Sequence, residues 1–122
     1  MSRSGCKVLI VDDDVESREL LLTLLEGEGY FATVAENGAQ AISLLKSGLD
    51  PDLVLTDLMM PVMNGWDLCE ALKSTPAWRS IPIIVSCGMA AEQRGKLRVD
   101  YAFEKPTDTS LLLQRIAELC GA

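Results

Sequence analysis

The stretch Leu53-Val54-Leu55-Thr56-Asp57-Leu58-Met59-Met60-Pro61 decides how this chain is read. An apolar, β-branched run makes a short strand, an acid ends it, and Pro61 marks a turn where more strand would otherwise follow. Asp57 therefore stands at a strand's carboxyl end. Four similar runs, at 7–11, 31–35, 81–86 and 101–104, alternate with helical patterns, as expected for βαβ units. The runs at 7–11, 53–56 and 81–86 have little polar interruption, which predicts central parallel strands covered on both faces. In an open sheet of this kind ligands collect outside the carboxyl ends of the strands. That edge receives Asp12-Asp13-Asp14, Asp57, Ser86 and Lys105 from four different strands.

The helices between them follow from apolar spacing. Leu20, Leu21, Leu24 and Leu25 recur at helical intervals, and Gly27 with Gly29 stop that helix. Asn37 and Gln40 form a capping pair that opens a second helix through Ala41, Ile42, Leu44 and Leu45. A third covers 66–73, and Leu112, Ile116 and Leu119 anchor a last one. The segment 89–98 has few apolar residues and contains Gly95, which predicts a short or mobile helix there.

Composition narrows the function. At 122 residues and 48% hydrophobic content the chain suits one cored domain, here taken as 1–122. A net charge of -7 disfavours direct contact with nucleic acid or an anionic membrane surface. No run is long and apolar enough for a signal or a membrane span, which places the expected location in the cytoplasm. Cys6, Cys69, Cys87 and Cys120 lie far apart without CxxC spacing, so all four are expected to be buried, reduced thiols. The chain has no histidine, which excludes Ser-His-Asp hydrolysis, zincin chemistry and phosphohistidine chemistry within the chain itself.

Asp12, Asp13 and Asp14 precede a helix and, taken alone, read as caps that suit its dipole. Asp57 changes that reading, because its strand lies beside the first in this topology. Carboxylates about 4 Å apart repel by roughly 1 to 4 kcal/mol, depending on the local dielectric, so the group calls for a cation. An oxygen-only site without histidine or thiolate suits Mg²⁺ or Mn²⁺. Lys105, restricted by Pro106, and Ser86 are weak signals singly; their joint placement at strand ends is the specific one.

Val11-Asp12-Asp13, Asp57-Leu58-Met59-Met60-Pro61 with Gly65, Ile81-Pro82-Ile83-Ile84-Val85-Ser86 and Glu104-Lys105-Pro106 together resemble the receiver domain of two-component response regulators, in order and over essentially the whole chain. The intervals agree: 45 residues from Asp12 to Asp57 and 29 from Asp57 to Ser86. The resemblance implies a (βα)5 doubly wound α/β fold, with five parallel strands in the flavodoxin-like order 2-1-3-4-5 and helices on both faces. It implies that Asp57 is the phosphoacceptor, attacking a phosphohistidine on a histidine kinase or histidine phosphotransfer protein. Asp13, Asp57 and the Met59 carbonyl would ligate Mg²⁺, with Asp12 acting mostly through water. Ser86 and Lys105 would each meet a phosphoryl oxygen. Such chemistry is chiefly positioning plus neutralisation of charge.

Two departures concern readout. Family members usually carry an aromatic residue three positions before the lysine; here that position is Ala102, flanked by Tyr101 and Phe103. Ser86 and Lys105 are separated by 19 residues, a few fewer than is typical, and Cys87 stands where the family mostly has Ala or Gly. A downstream protein partner is expected on the segment that opens at Met89 and ends at Tyr101, with its basic Arg94, Lys96 and Arg98, and on the last helix. Two alternatives accompany this reading. One is a receiver fold used as an interaction module with phosphorylation secondary. The other is a haloacid-dehalogenase-like phosphatase using Asp12 as nucleophile, disfavoured because Glu16 stands where that motif wants Thr or Val.

Overall fold

The computed structural model describes residues 6–57, 63–87, 101–104 and 109–120, except the side chains of Cys87 and of 101–104. Its elements run β1 (Lys7–Val11), α1 (Val15–Gly27), β2 (Phe31–Ala35), α2 (Gly38–Lys46), β3 (Leu53–Asp57), α3 (Gly65–Ser74), β4 (Ile83–Cys87), β5 (Tyr101–Glu104) and α4 (Thr109–Leu119). All strands pair in parallel in the order β2-β1-β3-β4-β5, as the sequence led us to expect. The β4 run starts two residues later than expected. Pro82, lacking an N–H, stays outside the strand, and its carbonyl accepts from Val54 N at 3.0 Å. The expected helix at 89–98 lies outside the described residues.

Alternation along the strands divides the core in two. Leu9, Val11, Val54, Ile83 and Val85 pack against α2 and α3, joined by Leu68, Cys69 and Leu72. Val8, Ile10, Leu53, Leu55 and Ile84 face the other way, against Leu25 of α1 and Leu112 and Ile116 of α4. All five residues of β3 are buried, which its central place requires. The α1 pattern holds less well: Leu25 is buried, whereas Leu20 is 65% exposed.

Helix ends follow their local chemistry. Asp14 caps α1, its carboxylate accepting from Ser17 N at 3.3 Å and Ser17 Oγ at 2.8 Å. At the other end Gly29 takes φ 92°, its N–H donates to Glu26 O, and the next N–H, of Tyr30, reaches Leu25 O. That is the Schellman arrangement, in which only a residue without Cβ takes the left-handed turn cheaply. Asn37 caps α2 by accepting from Gln40 N at 2.9 Å, and the Gln40 side chain returns to Glu36 N.

Gly38 has a different purpose. Its N–H donates to Met63 O at 2.9 Å, and a Cβ there would lie 2.7 Å from Met63 Cγ and 2.8 Å from that carbonyl oxygen. The close approach ties the start of α2 to the residue leading into α3. Gly38→Ala should therefore destabilise the fold, since overpacking against backbone costs roughly 1–3 kcal/mol and the helix-propensity gain is at most about 1 kcal/mol. A lower urea midpoint with unchanged slope is the expected result; a higher midpoint would show that the loop yields freely.

The cysteines depart from expectation. Cys6 and Cys120 are disulfide-bonded, with Cα atoms 6.2 Å apart, so these two are not reduced thiols. Spacing gave no hint, because a bond across 114 residues of chain joins positions that only the folded sheet and α4 bring together. Closing a loop of that length stabilises the fold by about 5 kcal/mol in the chain-entropy account. Cys69 is free and buried as expected, and the Cys87 side chain lies outside the described residues.

Burial pushes the Cys69 thiol up to about 11, and nearby Lys73 offsets only part of that. The sign follows directly. The folded chain keeps a proton that the unfolded chain gives up once pH passes the ordinary thiol range, so stability is lost as pH rises from about 9 to about 11, by at most about 1.4 kcal/mol per unit. Urea midpoints across that range should fall more steeply for wild type than for Cys69→Ala. Parallel slopes would show that the thiol does not contribute.

Candidate functional site

The pleat that builds the core also builds the site. Asp12 continues the row Val8, Ile10; Asp57 continues Leu53, Leu55; Ser86 continues Ile84. Three apolar rows on one face of the sheet therefore end, at its carboxyl edge, in two carboxylates and a hydroxyl. Strand register brings them level: Val11 pairs with Thr56, and Asp57 pairs with Ser86. Carboxylate oxygens of Asp12, Asp13 and Asp57 lie within 4.8 Å of one another. Asp12 and Asp57 are 4% and 8% exposed, whereas Asp13 is exposed.

Several bonds hold this edge in place. Asp12 N donates to Ala35 O at 3.0 Å, and one Asp12 carboxylate oxygen accepts from Asp14 N at 2.9 Å. Arg18 Nη1 donates to the Asp12 carbonyl at 3.0 Å, and Thr56 Oγ1 donates to the Asp57 carbonyl at 2.8 Å. The three consecutive acids thus divide their labour. Asp14 caps α1, while Asp12 and Asp13 turn toward Asp57.

A cavity of about 560 Å³ opens beside them, and its lining includes the polar Asp12, Asp57 and Ser86 and the apolar Leu20, Leu21 and Leu112. Leu20, one of the leucines whose helical spacing marked α1, is a wall of this cavity. Thr56 and Ser17 also line the cavity. Neither was anticipated, because a hydroxyl in a strand or first helical turn has no signal that separates it from ordinary strand or cap usage.

The donor set is chemically coherent. Three carboxylates with no nitrogen or sulfur among them fit a hard divalent cation such as Mg²⁺ or Mn²⁺. A partly buried hydroxyl opposite Asp57 can donate to a group carried on that carboxylate. Lys105 and Met59, the remaining expected site residues, lie outside the described residues, as does 89–100. In the pairing of β4 with β5, Ala102 stands beside Val85 and Phe103 beside Ser86.

Comparison with known proteins agrees with this geometry. The family model described as response regulator receiver domain matches residues 8–117. The DNA-binding response regulator MtrA of Mycobacterium tuberculosis is 42% identical over 79 residues, which is 65% of this chain and 33% of MtrA, so the chain spans about a third of that regulator's length. The signal receiver domain of a signal transduction histidine kinase from Syntrophus aciditrophicus superposes with a TM-score of 0.90 at 30% identity, covering 96% of this chain and 91% of that one. The response regulator TrrA of Thermotoga maritima, solved in complex with Mg²⁺-BeF, gives a TM-score of 0.82 at 29% identity, with 93% and 98% covered. With a parallel 2-1-3-4-5 sheet, acids gathered at its carboxyl edge and a family match over nearly its whole length, the chain belongs to the response regulator receiver domain family.

Proposed function

We propose that this receiver domain, as one unit over 1–122, accepts a phosphoryl group on Asp57 from a phosphohistidine carried by a histidine kinase or histidine phosphotransfer protein. The observation that carries this reading is the convergence of Asp12, Asp13 and Asp57 within 4.8 Å at the carboxyl edge, with Ser86 opposite Asp57 in the sheet. A carboxylate oxygen of Asp57 attacks the phosphorus, an O–P bond forms, and the N–P bond to the donor imidazole breaks. Bound among Asp12, Asp13, Asp57 and the Met59 carbonyl, Mg²⁺ would offset the charge of the acids and of the transferring phosphoryl oxygens. The similarity to TrrA, a structure that holds Mg²⁺-BeF, supports that choice of ion.

This chain's own groups do the rest. The Ser86 hydroxyl donates to one phosphoryl oxygen and the Lys105 ammonium pairs with another, neutralising charge that grows as transfer proceeds. Burial of Asp57 restricts water around the acyl phosphate, and the bond from Thr56 to the Asp57 carbonyl fixes the strand end that carries it. With no histidine in the chain, the donor imidazole comes from another molecule.

Output passes to a protein partner through the 89–101 segment and α4. Direct nucleic-acid contact is not part of the proposal: the net charge is -7, and only a third of MtrA's length is matched. The working place is the cytoplasm. Among the described residues no helix is long and apolar enough to cross a membrane.

The test is residue-level mapping of an acid-stable but alkali- and hydroxylamine-labile label after incubation with acetyl phosphate and Mg²⁺. A single label on Asp57 is expected. A label on Asp12 or Asp14 would favour the dehalogenase-like reading, and no label with any donor would leave an interaction module.

A further inference from the structure

We propose that Cys6 and Cys120 form a reversible redox clasp, opened and closed by a small thiol–disulfide couple of the glutathione class, whose state sets how firmly α4 is held on the sheet. Cys6 leads into β1 and is 6% exposed, while Cys120 directly follows α4 and is partly exposed. Leu112 and Ile116 are buried in the cluster that contains Cys6, whereas Leu119 and Cys120 only border it. The last turn of α4 is thus the weakly packed end, and the disulfide fastens it. About two turns earlier on the same helix, Leu112 walls the cavity beside Asp57, so loosening of α4 reaches the site.

The chemistry balances without a further reactant. A thiolate attacks the more accessible Cys120 sulfur, the bond between the two sulfurs breaks, and Cys6 leaves as a thiolate that takes up a proton. A second small thiolate then attacks the mixed disulfide, freeing Cys120 and giving the small disulfide. In sum, the clasp and two small thiols become two protein thiols and one small disulfide, and the reverse sequence closes the clasp. Cys69 does not compete, because it is buried in the core cluster on the opposite face of the sheet and burial keeps it protonated. In the cytoplasm, the location proposed above, disulfides are transient and redox-responsive. A bond in that compartment is therefore a switch and not a permanent staple.

The experiment uses the full chain in glutathione buffers of graded ratio, with acid quench, alkylation and non-reducing peptide mapping. Thermal unfolding and hydrogen exchange are measured on the same samples. We expect a Cys6–Cys120 peptide that appears and disappears reversibly, and a midpoint lower by roughly 20 °C when reduced. Exchange should be at least about 10-fold faster over 116–120 in the reduced form, a larger change than in β3. Cys120→Ser should behave as the reduced form in every buffer, and Cys6→Ser should match it. Absence of the linked peptide in fully oxidised glutathione would overturn the proposal. So would equal α4 protection in the oxidised, reduced and Cys120→Ser proteins.

Discussion

Asp57→Asn should lower phosphorylation by acetyl phosphate or a phosphohistidine donor by at least about 10³-fold, the order expected when a nucleophile is removed from an otherwise intact site. The amide keeps the shape of the carboxylate but has no anionic oxygen to attack phosphorus. Its backbone contacts, the pairing with Ser86 and the bond from Thr56 to the Asp57 carbonyl, do not depend on charge. The variant should therefore fold, and its stability without metal should equal or exceed that of wild type, since one of three crowded carboxylates is gone. Loss of labelling in a stable protein separates chemistry from unfolding. Labelling at an undiminished rate would remove Asp57 from the role of acceptor.

The legible part of this protein is the part governed by local periodicity. Uninterrupted apolar runs announce central strands buried on both faces, and Asp12, Asp57 and Ser86, which end or follow those runs, mark the carboxyl edge. Gly29 and the Asn37–Gln40 pair marked helix ends for the same reason, since their chemistry acts within a single turn. Contacts between distant segments left no such trace. The disulfide joins residues 114 apart, and cysteine spacing alone does not give connectivity. Gly38 reads as an ordinary first helical residue until Met63 is placed against it. Leu20 has the right spacing for a core stripe, yet helical spacing says nothing about whether the opposite wall is filled, and here it borders a cavity.

Asp13→Asn should change the stability of this domain in opposite directions with and without Mg²⁺. Oxygens of Asp12, Asp13 and Asp57 lie within 4.8 Å, a separation at which a charge pair costs about 1 kcal/mol in a water-like medium and about 3.5 kcal/mol at an effective dielectric of 20. Asp13 is exposed, so solvent holds its share near the lower figure. In metal-free buffer the neutral amide should accordingly raise the unfolding midpoint slightly. Added Mg²⁺ reverses the order, because an ion that binds only the folded chain stabilises wild type by about 1.4 kcal/mol at ten times its Kd, and the variant forgoes most of that. Phosphorylation of Asp57 in Mg²⁺ should fall in parallel. A carboxylate that merely capped α1 would give no such crossing, and Asp14 already fills that position. Urea midpoints of both proteins in chelator and in Mg²⁺ decide the matter: curves that keep the same order in both buffers would exclude Asp13 from the metal site.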